Sequence, residues 1–252
     1  MSKVFLVGAG PGDPELLTVK AYRLLQRADV VLHDGLVSPA VLELAPKEAV
    51  IINVAKRCGS RGMAQEDIHA LMVAFASSEQ IIVRLKSGDP MLFGRAAEEM
   101  EALAEAHVDY EVVPGVTAAL AAAAQVGISL TDRRFCSHVV FSTGHQCAGK
   151  EMPDWRGIVR PDTTVAIYMP GSDYQALARS LASAGLAAET PCALISQIGC
   201  PGQRIHRSTL NRVGDLPRLA APALFLAGSA VGGRRRVELN EEGNLVFQCA
   251  TS

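Results

Sequence analysis

The chain has 252 residues, of which 49% are apolar, 20% charged and 5% aromatic, with a formal net charge of −2. Such a length suits one large domain or two small ones built around sizeable cores. The near-neutral charge gives no general pull toward nucleic acid or a membrane surface, the few aromatics offer no base-stacking platform, and no run of about 18 apolar residues suggests a membrane span.

The first half alternates between two periods. Val4–Val7 reads as a buried strand, and Leu17, Ala21, Leu24 and Ala28 then recur at helical spacing. Val30–Leu32 is a second strand, ending at His33-Asp34-Gly35, and Val50–Val54 a third. Ile68, Leu71, Met72 and Phe75 mark a helix. Ile81–Leu85 is a fourth strand, ending in Lys86-Ser87-Gly88-Asp89-Pro90. Ala97, Met100, Leu103 and Ala104 mark another helix, and Tyr110–Val113 a fifth strand. Strands alternating with helices indicate a mostly parallel sheet covered on both faces.

The second half is looser. Thr117–Gln125 reads as an alanine-rich helix, and a further helix is expected near Tyr174–Ala184. Candidate strands are Val139–Ser142, Thr164–Met169, Cys192–Ser196 and Ala223–Ala227, with a surface loop over 146–162. Pro114-Gly115 is the expected junction, giving an N-terminal α/β domain over 1–114 and a C-terminal α/β domain over 115–252. The start, MSKVFLVGAGPG, lacks a signal-peptide layout. None of the six cysteines forms CxxC, so free thiols in a cytoplasmic protein are expected, with no metal site.

Ligands of such sheets sit beyond the carboxyl ends of the strands. Gly8–Asp13, His33-Asp34, Lys56-Arg57 and Ser87–Pro90 all fall there, which suggests one cleft. The glycine-rich turn is not a dinucleotide fingerprint. Gly8 and Gly10 fit it, but Asp13 takes the place of the last glycine and Pro11 lacks an N–H. There is no Gly-Lys-Ser or Gly-Lys-Thr of a Walker loop either. Taken alone, the segment reads as a tight strand-to-helix turn.

The turn is one member of an ordered set: GAGPGDPELLT, VVLHDGLVS, AKRCG, RLKSGDPMLFGR, VVPGVTAA, STGH and finally PALFLAG. This set resembles the tetrapyrrole (precorrin) methylase superfamily, and within it the branch that acts on uroporphyrinogen. The resemblance implies two α/β domains with S-adenosylmethionine bound in the cleft between them and S-adenosylhomocysteine as product. It implies methylation of uroporphyrinogen III at two pyrrole carbons, C2 and C7, giving precorrin-2. The runner-up is a methylase acting on precorrin-2 or a later corrin precursor.

Carried over residue by residue, the resemblance places Pro11, Ser87, Gly88, Asp89, Leu92, Thr117, Ala118, Met169, Ile198 and Ala223 around the cofactor. A carboxylate at Asp89 suits the ammonium of the methionine end. Asp34 and Lys56 match proton-handling positions, and the chemistry needs such groups. A pyrrole carbon attacks the sulfonium methyl, after which a proton must leave the ring. Arg95 and Arg133 match substrate-binding arginines, whose forks meet carboxylates bidentately, and Glu98 matches a polar partner. Three departures stand out: Ser87 for the usual Gly, Asp132 for the usual His and Arg134 for the usual Asp. His33, in place of the usual Tyr, reads as a hydrogen-bonded strand end rather than a base. A homodimer with a small-molecule partner is implied, with no nucleic acid and no membrane.

Overall fold

In the computed structural model, residues 3–55, 63–76, 80–144 and 154–233 are described, together with the backbone of 235–239 and 245–249. The chain divides into two units, 1–118 and 119–252.

The first unit is built on β1 (Lys3–Gly8), β2 (Val30–His33), β3 (Val50–Asn53), β4 (Ile81–Lys86) and β5 (Asp109–Val113). They form one sheet in the order β3-β2-β4-β1-β5, with every pairing parallel. The helices between them are α1 (Val19–Leu25), α2 (Pro39–Leu42), α3 (Gln65–Phe75) and α4 (Ala96–Glu105). Alternation along the strands decides which helix goes where. Val7, Val31, Val83 and Leu85 pack on Ala21, Leu25 and Val41 of α1 and α2. Val4, Leu6, Leu32 and Ile82 pack on Ile68, Met72 and Leu103 of α3 and α4. Both faces are therefore buried, as parallel sheets require. Each fully buried Leu, Ile or Val contributes about 1.5–3 kcal/mol. Thr18 and Ser38 start α1 and α2 by accepting from the amides of Ala21 and Val41.

The helix expected from Leu17 begins only at Val19. Pro14–Leu16 instead make a short 3-10 turn capped by Asp13, which accepts from Glu15 N at 2.9 Å. This gives Asp13 a structural reason to replace the glycine of a phosphate loop.

The second unit opens with α5 (Ala118–Val126), which begins at the boundary. Its strands are β6 (His138–Thr143), β7 (Thr163–Tyr168), β8 (Pro191–Ser196), β9 (Arg204–Thr209) and β10 (Ala223–Ala227), with α6 (Tyr174–Ser183) between β7 and β8. The sheet order is β6-β7-β10-β8-β9, and only β6 and β7 run parallel. Tyr174, Leu177, Ala178 and Leu181 form one stripe of α6 and pack on Trp155, Val165, Ile167, Leu194 and Phe225. The strands β11 (Arg235–Leu239) and β12 (Leu245–Cys249) pair antiparallel as a separate ribbon.

Candidate active site

In the first unit the carboxyl ends of the parallel strands lie at one edge, because Gly8 pairs with Lys86, His33 with Leu85 and Asn53, and Val7 with Val113. Three chain segments cross there almost in contact. A Cβ at Gly8 would lie 2.6 Å from Gly115 Cα and 2.7 Å from Gly88 O; one at Gly115 would lie 2.3 Å from Gly88 O. Only bare backbone fits such a crossing. Gly10 and Gly88 exchange amide–carbonyl bonds of 3.2 and 2.8 Å, and Ala9 N donates to Lys86 O at 2.8 Å. The two motifs GAGPG and KSGDP are thereby stitched together. Ser38 Oγ donates to Gly12 O at 2.5 Å and holds the far end of the first loop.

The left-handed φ of this region falls on Gly88, at +70°, and not on Ser87, which explains why a serine can stand before it. A Cβ on Gly88 would still be 3.9 Å from Ala118 N and 4.0 Å from Thr117 Cα. Pro11, Ser87, Gly88, Asp89, Thr117 and Ala118 are thus gathered around one glycine-lined junction. Asp89 is anchored within it: Oδ1 accepts from Met91 N at 2.8 Å and Oδ2 from Gly115 N at 3.0 Å. Two accepted amide bonds leave lone pairs on both oxygens for an ammonium. The half-buried junction, with its bare backbone and one carboxylate, fits the amino-acid end of S-adenosylmethionine. Leu92 sits in the turn that follows, its amide donating to Asp89 O at 3.3 Å.

Asp34 follows directly on β2. Its amide donates to Leu85 O at 3.1 Å, and its own carbonyl accepts from Val37 N, so it also shapes a turn. Its side chain is one-third exposed, and Arg84 Nη2 donates to its Oδ1 at 2.5 Å. Among the described residues, Oδ2 has no hydrogen-bond partner. Behind it lies a buried ion cluster. Arg84 Nε donates to Glu99 Oε1 at 2.9 Å, and Lys86 Nζ sits between the two Glu99 oxygens at 2.9 and 2.8 Å. Only the Oε1 contact has hydrogen-bond alignment, so Oε2 receives charge without a well-aimed N–H. Desolvation, with Arg84 beside it, lowers the Lys86 pKa; Glu99 and Asp34 oppose that shift. His33 is buried, and its Nδ1 donates to Asp34 O at 2.9 Å.

Arg84, Lys86 and Glu99 escaped the reading of the sequence. The signal was present: two cations at i and i+2 of a strand buried on both faces must find buried anions. Lys56 lies outside the described residues. Ala55, just before it, is near Gly35, where an added Cβ would come within 2.7 Å of the Ala55 Cβ.

Arg95 caps α4 in a left-handed conformation (φ 56°) and reaches Glu98 bidentately at 2.9 and 2.5 Å. The hydrogen bonds from Arg95 hold the Glu98 carboxyl below its ordinary range. Both side chains are about half exposed. In the second unit, the departures at 132 and 134 answer one another. Arg134 Nε and Nη2 donate to Asp132 at 2.9 and 2.5 Å, and these bonds bring the Asp132 pKa down to about 2. Arg133 is exposed and has no hydrogen-bond partner among the described residues. Met169 lies just past β7 in a left-handed conformation (φ 49°) and is 47% exposed. Ile198 is buried, and Ala223, at the start of β10, is half-buried. Tyr168 hydroxyl accepts from Ala119 N at 3.1 Å, which sets the start of α5 beside the end of β7.

The fold and this set of strand tips define a class. The chain belongs to the tetrapyrrole (corrin/porphyrin) methylases, whose family model matches residues 3–214. Among individual proteins it is similar to siroheme synthase 2 of Aeromonas hydrophila, with 42% identity over 251 residues, 99% of this chain and 53% of that protein. It therefore spans about half the length of the curated relatives it matches. Its structure resembles that of uroporphyrin-III C-methyltransferase from Thermus thermophilus complexed with S-adenosylhomocysteine. There the TM-score is 0.78 at 38% identity, over 91% of this chain and 98% of that one. A cobalt precorrin-4 methyltransferase of cobalamin biosynthesis gives a TM-score of 0.81 at 29% identity, over 91% of this chain and 95% of that one.

Proposed function

We propose that this chain transfers methyl groups from S-adenosylmethionine to pyrrole carbons C2 and C7 of uroporphyrinogen III, giving precorrin-2. The observation that carries the reading is the placement of Asp34. It is a carboxylate held by one oxygen at the tip of β2, on the strand edge where the glycine junction of β1, β4 and β5 also lies. When bound, S-adenosylmethionine supplies an electrophilic methyl on a sulfonium. Asp89 binds the ammonium of its methionine portion, with Ser87, Gly88, Thr117, Ala118 and Pro11 offering backbone at close range. Leu92, Met169, Ile198 and Ala223 supply apolar contacts. Arg95 and Arg133 bind acetate and propionate groups of the macrocycle, Glu98 holding Arg95 ready between turnovers. Asp34 accepts the proton released from the ring, with Lys56 as its proton-handling partner.

The siroheme synthase relatives support a place in siroheme supply. A second reading, action on a later corrin precursor, is favoured by the TM-score of 0.81; the identity of 38% against 29% favours the first. A homodimer in the cytoplasm completes the proposal. No described helix is long and apolar enough to cross a membrane.

The test is incubation with uroporphyrinogen III and S-adenosylmethionine, followed by product mass and absorbance. Two methyl additions are expected, and Asp34→Asn should slow single-turnover transfer about 10²–10⁴-fold while both ligands still bind. No methylation of uroporphyrinogen III, with turnover of a corrin precursor, would select the second reading. Light scattering should return twice the chain mass.

A further inference from the structure

The guanidinium of Arg84 is engaged at all three nitrogens. Nε donates to Glu99 Oε1 at 2.9 Å, Nη1 to the carbonyls of Leu32 and Leu85 at 3.4 and 3.3 Å, and Nη2 to Asp34 Oδ1 at 2.5 Å. Its side chain is 3% exposed, so a macrocycle cannot reach it. Any effect on chemistry must pass through what it holds. Two cations, Arg84 and Lys86, face two anions, Glu99 and Asp34, and the cluster is formally neutral. Three of the four lie wholly inside the unit, an arrangement that replacement by apolar residues usually matches in stability. Stability alone therefore gives little reason to bury such a cluster behind a strand tip. Geometry gives a better one. A planar fork can span two carboxylates at fixed angles, which a single ammonium cannot. Glu99, with no exposure, clamps the fork from α4, and the fork then presents Nη2 to Asp34.

We propose that Arg84 is the positioning residue for the Asp34 carboxylate, fixing Oδ1 so that Oδ2 takes the proton from the substrate ring. This rests on the reading of Asp34 as proton acceptor. Glu99 and Lys86 serve the same end: Glu99 sets the orientation of the guanidinium, and Lys86 balances the second anion.

The experiment compares wild type, Arg84→Lys, Asp34→Asn and the double variant. Each is measured for single-turnover methyl transfer with saturating uroporphyrinogen III and S-adenosylmethionine, for S-adenosylhomocysteine affinity, and for thermal melting. Arg84→Lys keeps the charge but cannot span both carboxylates. It should slow transfer roughly 10- to 100-fold, as small misplacements of a reacting group do. Its S-adenosylhomocysteine affinity should stay within about threefold. The decisive result is the double variant, which should be no slower than Asp34→Asn alone to within about twofold. If the lysine slows Asp34→Asn by the same factor as wild type, Arg84 acts independently of Asp34 and the proposal fails. A wild-type rate for Arg84→Lys overturns it too. A wild-type rate for Asp34→Asn sinks the proton-acceptor reading, and the positioning role with it, on the strength of that single variant. If Arg84→Lys does not fold, Arg84→Gln with Glu99→Gln removes one cation and one anion, and the same epistasis with Asp34→Asn is expected.

Discussion

At the scale of single residues, Asp89 and Cys192 lend themselves to direct test. Asp89 accepts two backbone amides as well as offering a charge, so a variant there tests its structural part and its proposed part in binding together. Asp89→Ala should weaken S-adenosylhomocysteine binding by about 1.5–3 kcal/mol in calorimetry, the usual worth of a charge-assisted bond, and should lower the melting temperature too. Unchanged affinity with a lowered melting temperature would leave Asp89 as a clamp only. Cys192 is 1% exposed in β8, and desolvation raises its pKa to about 12. Between the ordinary thiol value near 9 and 12, the unfolded thiol has lost its proton while the folded one keeps it. Its stabilising contribution is thus complete below about pH 9 and declines above it by about 1.4 kcal/mol per pH unit. Urea midpoints from pH 8 to 11 should fall more steeply in wild type than in Cys192→Ala. Asp34 is singled out in the sequence by the motif VVLHDGLVS and its resemblance to the methylases, since a strand-end aspartate alone reads as a turn residue. Arg84 could not be placed in the same way, since its partner Glu99 is fifteen residues away on a helix whose buried side only the packing reveals.

At the scale of elements, the parallel half was legible because β1 to β4 are largely apolar runs and α1, α3 and α4 carry clear stripes. β9 was not, since RIHRST is an edge strand of half-exposed and charged residues with no apolar run. α2 is a single turn, too short for a period to show. The extent of Thr164–Met169 was also misread by one residue at each end. β7 starts at Thr163, and Met169 leaves the strand in a left-handed conformation. The crossing of β1, β4 and the segment after β5 makes a sharp prediction. Gly8→Ala, whose new methyl meets backbone on two sides, should destabilise the protein by about 3 kcal/mol or more. Gly171→Ala, with a φ of +74° but nothing within 4 Å of the new methyl, should cost only about 1–2 kcal/mol. Urea unfolding of the two variants ranks them; equal costs would mean that the crossing can open without penalty.

At the scale of the whole molecule, ligand linkage offers a test independent of turnover. S-adenosylhomocysteine at a hundred times its dissociation constant should stabilise the wild-type protein by about 2.7 kcal/mol, and NAD should leave it unchanged. Asp89→Ala at the same ligand concentration should lose most of the gain. Stabilisation by NAD would revive a dinucleotide reading that Asp13 and Pro11 oppose. The match spans 99% of this chain and 53% of the Aeromonas relative, so what the two share is about half of that protein.

The glycine crossing has a consequence for how such a protein can diversify. Where Gly8, Gly88 and Gly115 meet, the surface offered to a ligand consists of amides and carbonyls, and these are common to every codon. Point substitution there can only break the junction, never retune it. Arg95, Glu98 and Arg133 are exposed side chains that can be exchanged one at a time without disturbing that backbone. On the proposed assignment of those three residues to the macrocycle and of the junction to the cofactor, selection could change which macrocycle is accepted while the methyl donor stays the same, and new specificities should be sought in libraries at those three positions.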